Sequence, residues 1–411
     1  MRTDAEVQWV PVRDVGDVRM GKQLSPASKD AAGQRPYLRV ANVLQGRIDY
    51  TDVKMMGFSD AEREAYGLKP GDILLNEGQS LELVGRSSIY DGAENDFFFQ
   101  NTLVRFRPSD LVLPAYAQVI FERWLAHGVF AAIAKQTTSI AHLGGERFAS
   151  LSFPLRPLAE QRRIVEVIDA VSAQERAIEA SIAKLSSMRL GALAAAFSPY
   201  SVSAEEKLWI KRPLEYVAHV GGGIALGGVA ASGGTVEIPY LRVANVQDGF
   251  ISTSEMKKIR VAPAEVERFL LKRGDVLLTE GGDLDKLGRG GVWDGRIDPC
   301  LHQNHVFRVR CVRGEMVPDF LALYLASPEG RAYFLRVAKQ TTNLASVSSS
   351  QIKAMPVPCP PLPVQQRTVE EFATHDECLA EEGRELAKTQ TLKLGLIDAL
   401  LAGGDAGMVR P

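Results

Sequence analysis

The sequence has no long apolar run and little cysteine. Nowhere in its 411 residues do about 18 apolar side chains follow one another, so no segment is suited to cross a membrane as a helix. The opening MRTDAEVQWVP lacks the apolar core of a secretory signal, which predicts a cytoplasmic protein. The four cysteines all lie in the second half and form no CxxC pair, so reduced, structural thiols are expected.

Signatures of catalysis and nucleotide binding are also missing. The sequence contains no GxGxxG, NPPY-like, HExxH, GxSxG or Walker pattern. The glycine-rich stretch at 221–234 has no GK[ST] and is interpreted as a surface loop rather than a phosphate loop. These absences favour a binding protein over an enzyme.

The overall charge gives no support to a nucleic-acid partner. There are 48 Lys and Arg residues against 50 Asp and Glu, a formal net charge of −2. A DNA-binding role therefore requires positive charge to be segregated onto one face of the fold. The length predicts two or three domains.

An internal repeat organises the chain. PYLRVANV at residues 36–43 recurs letter for letter at 239–246. Other blocks match in the same register, and one additional residue brings the last two into line. The further pairs are LKPGDILLNEG (68–78) with LKRGDVLLTEG (271–281), GRSSIYDG (85–92) with GRGGVWDG (288–295), QNTLVRFR (100–107) with QNHVFRVR (303–310), KQTTS (135–139) with KQTTN (339–343), and PLAEQRRIV (157–165) with PLPVQQRTV (361–369). The sequence is therefore a tandem duplication.

Each copy predicts a mixed α+β domain followed by a long helix. Runs of β-branched and aromatic residues bounded by glycine and asparagine predict strands, and helical periodicity follows in each copy. The predicted division has two similar globular domains and two helical regions. The four parts are residues 1–153, 154–198, 199–357 and 358–411.

The helical regions predict a coiled coil. Each begins after a proline-marked boundary, and apolar residues then recur at alternating spacings of four and three. Neither helix, about 60 Å long, can bury its stripe alone, so we expect them to pair antiparallel, with Arg189 opposite Glu382. The predicted seam and partner-docking residues are Ile164, Ile168, Val171, Ile178, Ile182, Leu185, Phe372, Leu379, Leu386, Leu396 and Leu400.

Isolated ionisable residues do not amount to an active site or a metal site. His302 and His305 form an HxxH pattern, but the first copy has no histidine at either equivalent position, so no metal site is expected. Glu77 and Glu280 follow predicted buried strands at equivalent positions. We interpret them as structural hydrogen-bond acceptors.

The order of these parts resembles the DNA-specificity (S) subunit of type I restriction–modification enzymes. The YLRVANV block, the KPGDILLNEG block and the Pro-Leu-x-Glu-Gln helix start carry the resemblance, which covers nearly the whole chain. One departure is Val364, which stands where the first copy has Glu160.

The resemblance implies a non-catalytic subunit with two target recognition domains, each reading one half of a split site in double-stranded DNA. It implies that the helices form an antiparallel spacer on which two methyltransferase subunits dock, joined by restriction subunits that carry the motor and nuclease. S-adenosylmethionine, ATP and magnesium are then expected only in those partner subunits.

Identity between copies that should read different sequences indicates that PYLRVANV supports the fold, while the differing loops read the bases. The repeated KQTT is the leading candidate for sequence-independent phosphate contact, although a polar loop that caps the next segment fits it equally well. Four arginines are further candidates. The candidate DNA-contact residues are Lys135, Gln136, Thr137, Thr138, Lys339, Gln340, Thr341, Thr342, Arg39, Arg242, Arg86 and Arg289.

Two other functions stay open at this point. The first is the same DNA-reading role in a related system whose partner chain both cuts and methylates. The second is a two-headed coiled-coil scaffold that binds proteins.

Overall fold

The computed structural model describes residues 7–29, 33–137, 140–198, 209–225, 234–283, 286–340 and 345–401. The chain divides into two compact units: the first unit holds residues 1–179 and 384–411, and the second unit holds residues 180–383. Each unit thus contains one globular part and a stretch of both long helices. None of the described helices has the length and apolar character needed to cross a membrane.

The globular part of the first unit consists of short strands and short helices. Its strands are β1 (Gln8–Pro11), β2 (Gly16–Met20), β3 (Gln34–Leu38), β4 (Val43–Leu44), β5 (Arg47–Ile48), β6 (Lys54–Gly57), β7 (Ile73–Asn76), β8 (Gly78–Gln79), β9 (Ser87–Ile89), β10 (Phe98–Phe99), β11 (Leu103–Pro108), β12 (Lys135–Gln136), β13 (Ala141–His142) and β14 (Ser152–Leu155). Its helices are α1 (Pro26–Lys29), α2 (Asp60–Tyr66), α3 (Pro114–Ala126), α4 (Val129–Ile133) and α5 (Gly145–Ala149), with a 3₁₀ turn at Val12–Asp14.

The first long helix, α6 (Leu158–Phe197), is followed by the globular part of the second unit. The strands there are β15 (Lys211–Pro213), β16 (Ala218–Gly221), β17 (Val236–Leu241), β18 (Lys257–Val261), β19 (Val276–Thr279), β20 (Gly281–Gly282), β21 (Gly290–Val292), β22 (Leu301–His302), β23 (Val306–Cys311), β24 (Lys339–Gln340), β25 (Ala345–Ser346) and β26 (Pro356–Pro358). The helices are α7 (Pro263–Phe269), α8 (Pro318–Ala326), α9 (Pro328–Val337), α10 (Ser349–Lys353) and the second long helix α11 (Leu362–Leu401), with 3₁₀ turns at Leu214–Tyr216 and Val243–Asn245.

Three sheets recur in both units with the same strand order. In the first unit the orders are β2-β11-β7-β9, β10-β3-β6 and β12-β13-β8. The second unit repeats them as β16-β23-β19-β21, β22-β17-β18 and β24-β25-β20. In each unit the strand that precedes the long helix also pairs with the first strand of the globular part. The mixed α+β class and the internal repeat predicted from the sequence are confirmed.

The repeated blocks that begin with Gly-Arg, GRSSIYDG (85–92) and GRGGVWDG (288–295), each place their first glycine against an aromatic ring. We call them the GR blocks. Gly85 has φ +82°, and a Cβ added there would lie 2.3 Å from Phe130. Gly288 has φ +70°, and its Cβ would lie 2.4 Å from Phe334. Both the left-handed backbone and the close approach require glycine.

A buried glutamine attaches each long helix to the globular part that precedes it. Gln161 accepts a hydrogen bond from the Leu113 amide at 2.8 Å and donates to the carbonyls of Leu111 and Arg156 at 2.8 and 2.7 Å. Gln365 makes the equivalent three bonds in the second unit, at 2.8–3.1 Å. The glutamine of the PLxEQ motif is therefore a structural clamp.

In the first unit the start of α6 packs near the end of α11. Arg156, just before α6, donates to the Leu401 carbonyl at 3.5 Å, and Lys393 lies 3.2 Å from Glu175 and 3.1 Å from Glu122 of α3. Burial alone would lower the pKa of Lys393, but the two carboxylates outweigh burial and raise that pKa. The ion triad ties both helices to the globular part.

In the second unit the order of contacts along the helices is again antiparallel. Ser181 donates to Glu382 at 3.1 Å, and Arg189 Nη2 donates to Asp376 at 3.1 Å. Arg189 also lies over the ring of Phe372, 5.8 Å from its centroid. The predicted pair of Arg189 with Glu382 is wrong: each residue binds another partner, because heptad spacing gives the face of a helix and not its register.

The predicted seam residues lie at buried or half-buried positions. The buried ones are Ile164, Ile168, Ile178 and Phe372, and the half-buried ones are Val171, Ile182, Leu185, Leu379, Leu386, Leu396 and Leu400. The helices also bury residues outside that seam in the globular cores, namely Leu193, Phe197, Ile397 and Leu401. The four-part division predicted from the sequence separates globular segments from helical ones, whereas the two units are defined by contacts between residues. The four-part division therefore stays a prediction.

The clamp predicts that substitutions at two adjacent glutamines, Gln365 and Gln366, have very different effects on the free energy of unfolding. Gln365→Leu leaves buried backbone groups without partners, which costs about 2–4 kcal/mol. Gln366→Leu is the matched control, since the neighbouring Gln366 is exposed and surface substitutions change stability by only about 0.5 kcal/mol. Thermal unfolding followed by circular dichroism should show a lower midpoint for Gln365→Leu alone. Equal midpoints for the two variants would contradict the clamp.

Candidate nucleic-acid interface

The KQTT block of the first unit begins a small β-hairpin. Lys135 and Gln136 form β12, which pairs with β13 so that Lys135 stands opposite His142. The side chains of Lys135, Gln136 and Thr137 are exposed. The amide and hydroxyl of Thr137 both donate to the Ile140 carbonyl, at 2.9 and 3.1 Å. The hairpin thus presents one cation and two polar side chains to solvent.

The second unit builds the same hairpin from its own KQTT block. Lys339 and Gln340 form β24 and are exposed, and they pair with β25. In both units the third strand of this sheet follows the glutamate of the LNEG or LTEG block. Three candidate residues, Thr138, Thr341 and Thr342, lie outside the described residues.

The turn that connects β8 to the GR block lies beside the hairpin sheet. It exposes Leu81 and Leu83, and Ile140 is exposed on the hairpin side. Arg86 ends the turn, half-buried, and its Nε has no hydrogen-bond partner in the part of the chain that the structure describes. Burial lowers the pKa of the Arg86 guanidinium below its ordinary value, but an arginine stays charged in proteins.

The corresponding turn of the second unit carries different side chains. Arg289 follows Gly288 as Arg86 follows Gly85. Lys286 stands at the position of Leu83, so a cation replaces an apolar side chain. The two units therefore share a scaffold here and differ in what it displays.

The asparagine of the PYLRVANV block, Asn42, holds the loop that follows the block through hydrogen bonds to its backbone. Asn42 accepts a hydrogen bond from the Arg39 amide at 3.1 Å and donates to the carbonyls of Asp49 and Asp52 at 2.9 and 3.1 Å. The Arg39 guanidinium is engaged by the Asp52 carboxylate. Asn245 makes the same three bonds in the second unit, at 2.9–3.0 Å.

The equivalent arginine of the second unit also has a partner near the end of that loop. Arg242 donates to the Glu255 carbonyl at 3.4 Å, and its guanidinium lies 4.0 Å from the Glu255 carboxylate. Arg39 and Arg242 are thus each bound to an acidic residue near the end of the adjoining loop. The hairpin lysines, Lys135 and Lys339, do not form an ion pair with any described residue.

Repeated arginines of the strands are also bound within the scaffold. Arg107 holds the buried Asp72 carboxylate through two bonds of 2.6 and 2.7 Å. Arg310 holds Asp275 in the same way, at 2.7 Å for both bonds. These bidentate pairs explain why both copies keep an arginine at the end of RFR (105–107) or RVR (308–310) together with the aspartate of the Gly-Asp turn (71–72 or 274–275).

Backbone bonds join the repeated blocks to the hairpin. The Thr102 hydroxyl accepts from the Val40 amide at 3.2 Å, and the Thr102 carbonyl accepts from the Glu77 amide at 2.9 Å. The Glu77 carbonyl in turn accepts from the Leu143 amide at 2.8 Å, just beyond the hairpin. Blocks far apart in sequence therefore meet beside KQTT.

One feature of this region was not anticipated from the sequence. His142 Nδ1 lies 3.1 Å from the Glu77 carboxylate, and His305 Nδ1 lies 2.6 Å from the Glu280 carboxylate. The two glutamates are equivalent in the repeat, but the histidines are not, so the repeat register gave no sign of the pairs. His302 turns away: its Nδ1 contacts the Val306 carbonyl at 2.7 Å, and burial lowers its pKa to about 4.

Comparison with known proteins shows which proteins the chain resembles. The family model described as the type I restriction modification DNA specificity domain matches residues 5–186. The specificity subunit of the type I restriction enzyme EcoKI from Escherichia coli strain K12 is 23% identical over an alignment that covers 90% of this chain and 82% of that protein. The chain is thus similar to type I restriction specificity subunits over most of its length.

A second specificity subunit and a solved structure are also similar to this chain. The StySPI specificity subunit from Salmonella potsdam is 22% identical, with 90% of this chain and 82% of that protein covered. A structure described as showing complex assembly and conformational transition of the type I R-M system superposes with a TM-score of 0.57. Its sequence identity is 16%, and it covers 98% of this chain and 99% of that one, so the likeness concerns the fold.

The loop closed by Asn42 predicts a stability defect. Asn42→Ala removes three hydrogen bonds and leaves their backbone partners unsatisfied, which costs about 1–3 kcal/mol. Gln45→Ala, at an exposed residue of the same loop, serves as the control. The midpoint of thermal unfolding measures both. Unchanged stability in Asn42→Ala would show that the PYLRVANV block has a role other than support.

Proposed function

We propose that this protein is the sequence-reading subunit of a type I restriction–modification complex. The globular part of the first unit reads one half of a split DNA site, and that of the second unit reads the other half. The observation that carries the proposal is the duplicated scaffold, whose repeated contacts hold a surface that differs between the units. Two different readers imply an asymmetric site in two parts.

The division between scaffold and reader rests on particular contacts. Asn42, Asp72 and Gln161 make the same bonds as their equivalents in the second unit. The exposed turn beside the hairpin differs, with Leu83 in one unit and Lys286 in the other. Side chains that read bases must differ between half-sites, whereas the groups that support them need not.

The hairpin lysines supply the sequence-independent part of binding. Lys135 and Lys339 are exposed at equivalent positions and form no ion pair with a described residue, so their charge is available to a phosphate. Arg86 adds a cation at the edge of the same region. Phosphate contacts of this kind fix the register of a protein on DNA and carry most of the salt dependence.

The long helices serve as the spacer and as the docking surface for two methyltransferase subunits, with restriction subunits joining that core. Exposed apolar side chains on α6 and α11 support a protein partner there, because they are not covered within this chain. The most exposed of them are Met188, Leu190 and Leu392. The chain itself is non-catalytic and cytoplasmic and needs no cofactor; S-adenosylmethionine, ATP and magnesium act in the partner subunits.

Methylome sequencing tests the central proposal. A host in which the chain is co-expressed with its methyltransferase should carry one methylated, two-part, asymmetric DNA motif. The purified chain alone should transfer no methyl group. A methylome without any split motif would refute the proposal.

Removal of the hairpin cations predicts a specific change in salt dependence. In the complex with its methyltransferase, the double variant Lys135→Gln and Lys339→Gln should bind duplex DNA with a shallower log–log salt slope. The expected reduction is about 0.9 for each lost phosphate contact. The methylated motif should not change, since the lysines are not base readers. Gel shifts between 50 and 200 mM KCl, roughly the range over which such contacts are screened, measure the slope.

Lys69→Gln is the matched control for that experiment. It removes the same charge from the first unit, but Lys69 is already paired with Glu94 at 2.8 Å, so its salt slope should stay that of the unaltered complex. A motif that changes in the double variant would mean that KQTT reads bases. An unaltered complex without sequence preference or salt dependence would favour a protein-binding scaffold.

The length of the helices predicts the gap between half-sites. Four helical residues inserted after Glu179 and four after Gly383 lengthen each helix by about 6 Å, which corresponds to roughly two base pairs of DNA. Methylome sequencing should then find the same two half-sites with a longer gap, or no methylation if docking fails. Altered half-sites would show that the globular parts are not the readers.

A further inference from the structure

Each unit holds one carboxylate–imidazole pair on the same glutamate position. Glu77 follows β7 and Glu280 follows β19, and each lies within contact of one histidine ring, at 3.1 and 2.6 Å. The glutamates are mostly covered, whereas His142 and His305 have 42% and 57% of their side chains exposed. The imidazoles are therefore the outer members of both pairs.

The fold does not need either imidazole. The position of His142 in the first unit is taken by Ser346 in the second, where the same hairpin sheet forms. The position of His305 in the second unit is taken by Thr102 in the first. The backbone hydrogen bond to this position is kept in both units: the Glu77 amide donates to the Thr102 carbonyl at 2.9 Å, and the Glu280 amide donates to the His305 carbonyl at 3.0 Å. Exposed ion pairs also contribute only about 0–1 kcal/mol to stability. Structural support alone does not account for them.

The geometry leaves the outer ring nitrogen available. Nδ1 of each histidine faces its glutamate, and Nε2 makes no hydrogen bond within the described ranges. The ring of His142 lies over Gly78 of β8, where a Cβ would be in van der Waals contact with it, 3.5 Å from Cε1. Lys135 stands directly opposite His142 in the hairpin and shares its face of the sheet.

We propose that His142 and His305 each contact a DNA phosphate through Nε2, with Glu77 and Glu280 as positioning residues. An imidazolium whose Nδ1–H is held by a carboxylate directs its Nε2–H outward as a hydrogen-bond donor to an anion. This inference rests on the proposed DNA-reading function and adds to it two histidines that the repeat does not duplicate, since Ser346 and Thr102 stand at the equivalent positions.

A phosphate fits these pairs better than a base. The carboxylate that orients the ring is at the same place in two domains that read different half-sites, as expected for sequence-independent contact. In the first unit the ring also lies beside the hairpin cation. The rings come from different elements, β13 in one unit and the loop before β23 in the other, so the two contacts are not copies of each other.

The contact should depend on pH because histidine changes its charge between about pH 5 and 8. The charged groups that face His142 are the Glu77 carboxylate, the Lys135 ammonium across the hairpin and Arg147 of α5, which donates to the His142 carbonyl at 2.6 Å. Glu280 is the charged group in contact with His305.

The decisive experiment uses the full chain assembled with its methyltransferase and a duplex that contains the methylated motif. The double variant His142→Gln and His305→Gln is compared with the unaltered complex in KCl titrations at pH 6.0 and pH 8.0. At pH 6.0 the variant should have a salt slope shallower by about 0.9 for each imidazole. At pH 8.0 the slopes should coincide. The methylated motif should be the same in both.

Two further variants separate this role from a general effect. His219→Gln removes an exposed histidine of the second unit elsewhere on the fold, on β16, and should leave slope and pH dependence unchanged. Glu77→Gln keeps an acceptor for Nδ1 but removes the carboxylate that positions the ring. Its salt slope at pH 6.0 should lie between those of the unaltered complex and the double variant.

The outcomes are distinguishable. Equal slopes for the double variant and the unaltered complex at pH 6.0 would overturn the inference, and so would a changed methylated motif, which would mean that the rings read bases. An unaltered complex that shows neither sequence preference nor salt dependence would instead overturn the proposed function itself.

Discussion

A glutamine with no exposed surface at the start of each long helix is the constraint on which the rest of the structure depends. Gln161 satisfies one amide and two carbonyls that would otherwise be buried without partners, and Gln365 does the same in the second unit. The direction in which each helix leaves its globular part is thereby fixed. The antiparallel contacts further along the helices, such as that of Lys393 with Glu175, depend on that direction.

Most of the charge in the repeated blocks serves the fold. Arg107 and Arg310 hold buried aspartates, and Arg39 holds Asp52. A chain with almost equal numbers of acidic and basic residues can therefore still leave a few cations available, since cations such as Arg107 and Arg310 are bound in the scaffold. Lys135 and Lys339 are available in this sense because each lies on a two-residue strand at the edge of its sheet, where the side chains are exposed to solvent. Net charge is a poor guide to such a surface.

The fold could be predicted from sequence further than the site could. The repeat and the helical seam follow from identity and spacing, and residues such as Ile164 and Ile168 are buried where the heptads place them. Leu193 and Ile397 were missed because they face the globular cores from positions outside the predicted heptad seam. KQTT was recognisable as a polar repeat, but β8, the strand that follows Glu77, joins its hairpin through β13 in a long-range contact. His142 and His305 could not be found from the repeat, since equivalent positions hold serine and threonine.

Gly85 and Gly288 also bear on how such a chain diversifies. Between Glu77 and Gly85 the turn is anchored at both ends by contacts that recur in the second unit, while the side chains of residues 80–83 face solvent. Substitutions in that interval change the displayed surface at little cost to the folding free energy. Because the two turns belong to separate units with separate cores, each can acquire new side chains while the other keeps its own. Duplication thus allows the two halves of a recognition surface to evolve independently.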